Sequence, residues 1–393
     1  MLTFSQWVVN NIAKFGGDPN QITLNGDSAG AGSVRTLLGS PLAIGKFQGA
    51  MAMSNLGGGK DLGLTSNYGT TYSSYLTIQE SYQEGTIPLL NATNCTAGTV
   101  NDQITCLKSL NVSLIDGPSN VPRFVVQDGT IVKTEDLDVY NRNGSAAHVP
   151  VMFGTCANDG ASFSTYPTTP VLNESAGIQA ALGINASAAQ AIIDSGLFPY
   201  YDTGNVTLDS FTVSQRVATD NTFRCVDQAT MYAGAVSGAF LATYFYQSDR
   251  TWTGYNPNNL EQDGSQPMPG YPNGDPYAPY FRLHSSDLPY SFGNLAPSAV
   301  RDPNDLYALQ LVTAYFAEFI KTGQPNPSPE YLKVRGYTKT LDAVEKGEPW
   351  EKVSSDTGPM RHFDYPSFST EFGDLPQCAF LNYSISYYLE GGM

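Results

Sequence analysis

Ile22-Thr23-Leu24-Asn25-Gly26-Asp27-Ser28-Ala29-Gly30 is the stretch whose reading decides the fold. Ile22 to Asn25 suit a short strand, and the following Ser33-Val34-Arg35-Thr36-Leu37-Leu38 suits a helix. Between them, Gly26-Asp27-Ser28-Ala29-Gly30 matches G-x-S-x-G, in which the serine occupies a strained strand-to-helix turn that lifts its Oγ above the sheet. Small residues at both ends are expected, since such a turn brings the two backbones too close for a Cβ. A glycine-rich turn with a capping serine would look the same, so the motif acquires chemistry only with a base and an acid.

Upstream, Phe4, Trp7, Val8, Asn11, Ile12 and Phe15 recur at spacings of three and four and predict an amphipathic helix ended by Gly16 and Gly17. Downstream, residues 79 to 145 hold the first cysteine pair and read as a loop-rich excursion rather than sheet. Val149 to Gly154 and residues 236 to 247 read as strands, and residues 251 to 293, full of Pro, Gly, Tyr and Asn, read as loop. From Asp305 to Lys321, Leu306, Leu309, Val312, Phe316, Phe319 and Ile320 trace a helix face that Gly323 stops. Strands separated by helices and insertions indicate an α/β fold.

The 393 residues are 41% hydrophobic and only 14% charged, with 24 Tyr and 19 Phe, the make-up of a folded globule. No apolar run reaches the ~18 residues that span a bilayer, so no stable membrane span is expected. A formal charge of −16 with only 20 Lys and Arg argues against nucleic acid as a partner, because sequence-independent binding to phosphates needs cations. Nothing in the pattern calls for a cofactor or a metal. Asn-x-Ser/Thr sequons at Asn91, Asn94, Asn111, Asn143, Asn173, Asn185, Asn205 and Asn382 suggest glycosylated surface loops in a secreted protein. Five cysteines, Cys95, Cys106, Cys156, Cys225 and Cys378, fit two disulfides and one free thiol. The first 15 residues, however, lack the cationic, apolar and small-residue regions of a signal peptide.

A serine hydroxyl needs a base to take its proton, and the chain offers His148, His284 and His362. All three follow Ser28 and satisfy the chain order serine, acid, histidine, so the residues alone leave the choice open.

NNIAKFGGDPNQITLNGDSAGAGSV, from Asn10 to Val34, resembles the nucleophile region of the type-B carboxylesterases, the cholinesterase and fungal-lipase family. FGTCANDG resembles that family's second signature and implies Asp159 as the acid; LHSSDLPYSFG resembles the third and implies His284 as the base, followed by Asp287. YFAEFIKTGQPN is similar to the family's late helix and its ending. The resemblance covers nearly the whole chain and implies an α/β-hydrolase fold and a carboxylic ester hydrolase acting on a small-molecule or lipid ester. Ser28 would attack, His284 would carry the proton, Asp159 would orient the imidazole, and the N–H of Ala29 would bind the oxyanion through an acyl-enzyme cycle. Two departures stand out. The family usually has Glu where Asp159 stands and Asn where Cys156 stands; Asp is the commoner acid across α/β-hydrolases, and Cys156 is expected to be a buried free thiol. Relatives have a bridge near Cys95 and Cys106, which with the ten residues between them implies a disulfide there. Cys225 with Cys378 is a second, weaker pairing.

The resemblance also implies strands and a Gly-rich oxyanion loop ahead of the nucleophile, and only 27 residues precede Ser28. The expectation is a single α/β-hydrolase domain over 1–393, incomplete, with early strands of the central sheet missing: a C-terminal portion beginning one helix before the nucleophile elbow. A lost N-terminus would account for the absent signal peptide. On that expectation the chain alone is insoluble or nearly inactive, and an upstream segment with a Gly-rich loop restores it. The alternatives are a non-catalytic cholinesterase-like binding or adhesion protein, or an inactive truncated gene product. Relatives of that kind typically lose a triad residue, whereas Ser28, Asp159 and His284 are all in place.

Overall fold

The structure, a computed structural model, describes residues 2–57, 73–116, 125–250, 281–294 and 303–390. Residues 251 to 280 of the stretch read as loop lie outside the described residues. Six strands form the main sheet in sequential order: β1 (Thr23–Asp27), β2 (Gly49–Met53), β3 (Pro150–Cys156), β4 (Ala242–Ser248), β5 (Met360–Phe363) and β6 (Phe368–Thr370). Neighbours are parallel from β1 to β5, and β6 turns back antiparallel on β5. Among the described residues β1, which follows helix α1 (Leu2–Asn11), is the end strand, paired with β2 in register Thr23 with Gly49 to Asp27 with Met53.

The strand pleat sorts the core into two faces. Ala50, Ala52, Val151, Phe153 and Phe245 pack on one side, with Val34 and Leu38 of α2 (Ala29–Leu38), Val213 and Val217 of α3 (Val206–Thr219), and Val226 and Ala229 of α4 (Cys225–Ser237). The alternate residues Met51, Met53, Met152, Tyr244 and Tyr246 pack on the other side, against Val312, Phe316 and Phe319 of α5 (Pro303–Thr322) and Trp350. Helices therefore cover both faces of a mostly parallel sheet, the α/β-hydrolase arrangement.

Several local readings change. The segment read as loops from 79 to 145 contains helices Ile78–Ser81, Ile87–Ala92, Val100–Ser109 and Val112–Asp116, and Leu76–Thr77 pairs in parallel with Val126–Gln127. Two of these helices start on reciprocal caps. Thr77 with Glu80 and Thr99 with Asp102 each satisfy helix-end donors from both sides, a pattern three residues apart that the sequence carries. The strand placed at 236 to 247 begins only at Ala242, since α4 runs to Ser237 and Gly238 ends it at φ 72°. β2, α3 and α4 are buried on nearly every side, so they show neither alternation nor a polar face to mark them. α5 matches its predicted span, with Val312, Phe316 and Phe319 buried and Leu306 and Ile320 exposed.

Candidate active site

Ser28 lies between β1 and α2, at the C-terminal end of the sheet where open α/β folds gather their ligands. Its backbone sits at φ 60° and ψ −122°, a conformation non-glycine residues rarely adopt. The strain is held from both sides: Ser28 N donates to Met53 O at 2.9 Å, and Gly32 N donates to Ser28 O at 3.0 Å. A Cβ on Gly26 would stand 2.3 Å from the carbonyl carbon and oxygen of Gly30. On Gly30 it would meet none of the described residues within 4 Å. The expectation that both ends must be small therefore holds at Gly26 only, because the contact is between the Gly26 side-chain position and the Gly30 backbone. Ala29 is the first residue of α2, where an amide has no partner within the helix.

Asp159 opens a 3₁₀ turn (Asp159–Phe163) just beyond β3 and is fully buried. His284 belongs to the turn that follows Phe281, and its Nδ1 lies 2.8 Å from Asp159 Oδ1. Ser54, one residue past β2, donates its hydroxyl to the same carboxylate, 2.9 Å from each oxygen, and Cys156 N donates to Asp159 Oδ2 at 2.8 Å. These donors satisfy the buried carboxylate and fix its orientation toward the imidazole. Phe163 and Phe223 flank the His284 ring at 5.0 Å each. Ser285, at φ 64°, donates to Asp27 Oδ2 at 2.6 Å, so the residue after His284 is tied to the residue before Ser28.

Burial disfavours charge on His284, but the bond to Asp159 and the charges of Asp159, Asp27 and Asp287 outweigh it and raise its pKa. Asp287 is pushed up to about 7, by burial and then by the charge of Asp27, against the hydrogen bond that Tyr246 donates at 2.7 Å. Burial raises Asp27 as well, more than the Ser285 bond and His284 lower it. The charges of three carboxylates thus act on one imidazole, with Asp159 in direct contact. His148 and His362 lie elsewhere: His148 Nδ1 is 3.0 Å from Ala239 O, and His362 pairs with Asp249 while its Nε2 is 2.8 Å from Thr370 Oγ1.

A sequence profile of the carboxylesterase family matches residues 5–380, nearly the entire chain. The chain belongs to the carboxylesterase family. It is 25% identical over 304 residues to the fumonisin B1 esterase of Sphingopyxis macrogoltabida, covering 76% of this chain and 47% of that protein. It is 26% identical over 352 residues to the para-nitrobenzyl esterase of Bacillus subtilis (strain 168), covering 86% and 62%. To Lipase 2 of Diutina rugosa it is 30% identical over 180 residues, covering 40% and 29%. The chain thus spans about half the length of the first of these relatives and about three-fifths of the second.

In this carboxylesterase-family chain, no sequence pattern marks Ser54, Ser285 or Tyr246. Each is an unremarkable residue type at the end of a strand or in a turn, and it joins the site only because parallel strands deliver their C-terminal ends to one edge. The signal for Ser54 would have been the unplaced strand before it. Among the described residues no group of three or more His, Cys, Asp or Glu could hold a metal, and no single helix is long and apolar enough to cross a membrane. The two disulfides are Cys95–Cys106 and Cys225–Cys378, with Cα atoms 5.6 and 5.3 Å apart. Cys156 is free, and burial pushes its thiol well above the usual range, so it is not a ready nucleophile. Of the sequon asparagines, Asn91, Asn94, Asn111, Asn143, Asn173, Asn185 and Asn382 are exposed; Asn205 is half-buried and its side chain caps α3.

Proposed function

We propose that this protein hydrolyses carboxylic esters through Ser28, His284 and Asp159. The observation that carries the reading is the 2.8 Å contact between Asp159 and His284, in a turn tied through Ser285 to the strained elbow that bears Ser28. Ser28 Oγ attacks the ester carbonyl carbon while His284 takes its proton, and the negative charge moves to the carbonyl oxygen beside the Ala29 N–H. The intermediate collapses, the alcohol leaves with the proton from His284, and a water deprotonated by His284 then hydrolyses the acyl-enzyme and regenerates Ser28. Asp159 holds the Nδ1 proton and stabilises the imidazolium, and Asp27 and Asp287 favour the same charge. The substrate is a small-molecule or lipid ester. Exposed sequons and two disulfides support a secreted glycoprotein.

A fluorophosphonate probe tests the mechanism, because only a base-activated hydroxyl attacks phosphorus quickly. Labelling maps to Ser28, and Ser28→Ala abolishes both labelling and hydrolysis of p-nitrophenyl butyrate. Labelling that survives Ser28→Ala removes Ser28 from the mechanism.

A further inference from the structure

Asp159 and His284 come from segments 125 residues apart in the chain, and each sits in a short turn rather than in a strand or a long helix. Something must hold one turn at a fixed distance from the other. Asn158, just before Asp159, bonds both main-chain groups of Arg282, two residues before His284. Its backbone N donates to Arg282 O at 3.1 Å, and its side-chain Oδ1 accepts from Arg282 N at 2.9 Å. The amide oxygen of the side chain thus takes the place of a strand carbonyl, closing a two-bond ring between the two turns. The other half of the same amide is used too: Nδ2 donates to Gln215 Oε1 at 3.1 Å, which fixes the orientation of the oxygen. Arg282 is anchored on its far side by Nε donating to Asp249 O at 2.9 Å, just past β4.

We propose that Asn158 is a positioning residue: it clamps the acid-bearing turn to the main chain ahead of His284 and so sets the Asp159 to His284 distance. This rests on the ester-hydrolase reading of those two side chains. Packing is a poor explanation for the residue. Asn158 is half-buried and walls a cavity of about 860 Å³ together with Arg282, so truncation there opens no void in the core. The clamp requires an acceptor at Oδ1. Asp keeps that acceptor in the same place, Ala removes it, and Gln moves it outward by a methylene.

The test uses the full chain with fluorophosphonate labelling, steady-state ester hydrolysis and thermal melting on Asn158→Ala, Asn158→Gln and Asn158→Asp, with Thr203→Ala as a control on the wall of the same cavity. A misplacement of about 1 Å costs on the order of 10²-fold in rate, so Asn158→Ala and Asn158→Gln lower kcat and labelling by about 10- to 100-fold with KM nearly unchanged. Asn158→Asp restores both to within about threefold. The acid limb of the pH profile moves in opposite directions: down in Asn158→Ala, as Asp159 loses its hold on the imidazolium, and up in Asn158→Asp, which adds a negative charge. Thr203→Ala leaves rate and profile unchanged. If Asn158→Ala fails to fold, Asn158→Gln and Asn158→Asp carry the comparison. Wild-type labelling in the folded Ala or Gln variant overturns the proposal, as does an equal deficit in the Asp variant. His284→Ala separates the two levels: if it abolishes labelling while Asn158→Ala does not, only the clamp falls, whereas full activity in His284→Ala removes both.

Discussion

Gly26→Ala and Gly30→Ala make the same chemical change four residues apart, and the structure assigns them opposite consequences. A Cβ at Gly26 stands 2.3 Å from Gly30 C and O and 2.9 Å from Ala31 N, where ordinary contact begins at 3.4 Å. The obstacle is backbone inside the turn, which has no rotamer to relieve it, so β1 and α2 must separate by about 1 Å. Overpacking of this kind costs about 1–3 kcal/mol. The larger effect falls on Ser28, whose strained φ persists only while the strand and the helix hold it from both sides. A shift of about 1 Å lowers labelling by on the order of 10²-fold. At Gly30 the added methyl enters open space inside a helix, where replacing Gly by Ala stabilises by ~0.5–1 kcal/mol. The assay is the second-order rate of labelling by a small fluorophosphonate, read beside thermal melting of both variants. Wild-type labelling and melting in Gly26→Ala would refute the reasoning, and so would equal damage from Gly30→Ala.

Ser54→Ala removes the hydroxyl 2.9 Å from both Asp159 oxygens; it is expected to cost ~1–3 kcal/mol by denaturant titration and to slow ester hydrolysis several-fold. Asp287, held at about 7 by burial and by Asp27, binds a proton in the folded state that the unfolded chain releases near pH 4, so this group lowers stability as pH rises from about 4 to about 7. Asp287→Asn is therefore expected to gain stability relative to the parent at pH 8 compared with pH 5, by paired denaturant titrations; a constant difference would rule this out. The two disulfides close loops of very different size, at sequence separations of 11 and 153, so Cys225→Ser with Cys378→Ser should cost about 5 kcal/mol and Cys95→Ser with Cys106→Ser about 3, measured by melting.

What the sequence by itself determined are the features written locally. The elbow shows because strand, glycine, serine and helix follow one another within 17 residues, from Ile22 to Leu38, and α5 shows because one of its faces is apolar and the other polar. The carboxylate and the histidine that meet in the structure, Asp159 and His284, were reached only through resemblance, since three histidines satisfied the chain order equally. Tertiary structure decided the rest. β2 carries no alternation because both of its faces are buried, and α3 and α4 bury polar residues such as Asp209, Ser214, Asp227 and Gln228 together with apolar ones, so no polar stripe marks a solvent face. Ser54, Ser285, Tyr246 and Asn158 acquire their partners from chain segments up to 258 residues away, and no spacing in the sequence encodes those distances. They meet because five parallel strands end at one edge of the sheet, and burial there lets a hydroxyl or an amide settle the charge and position of its neighbours.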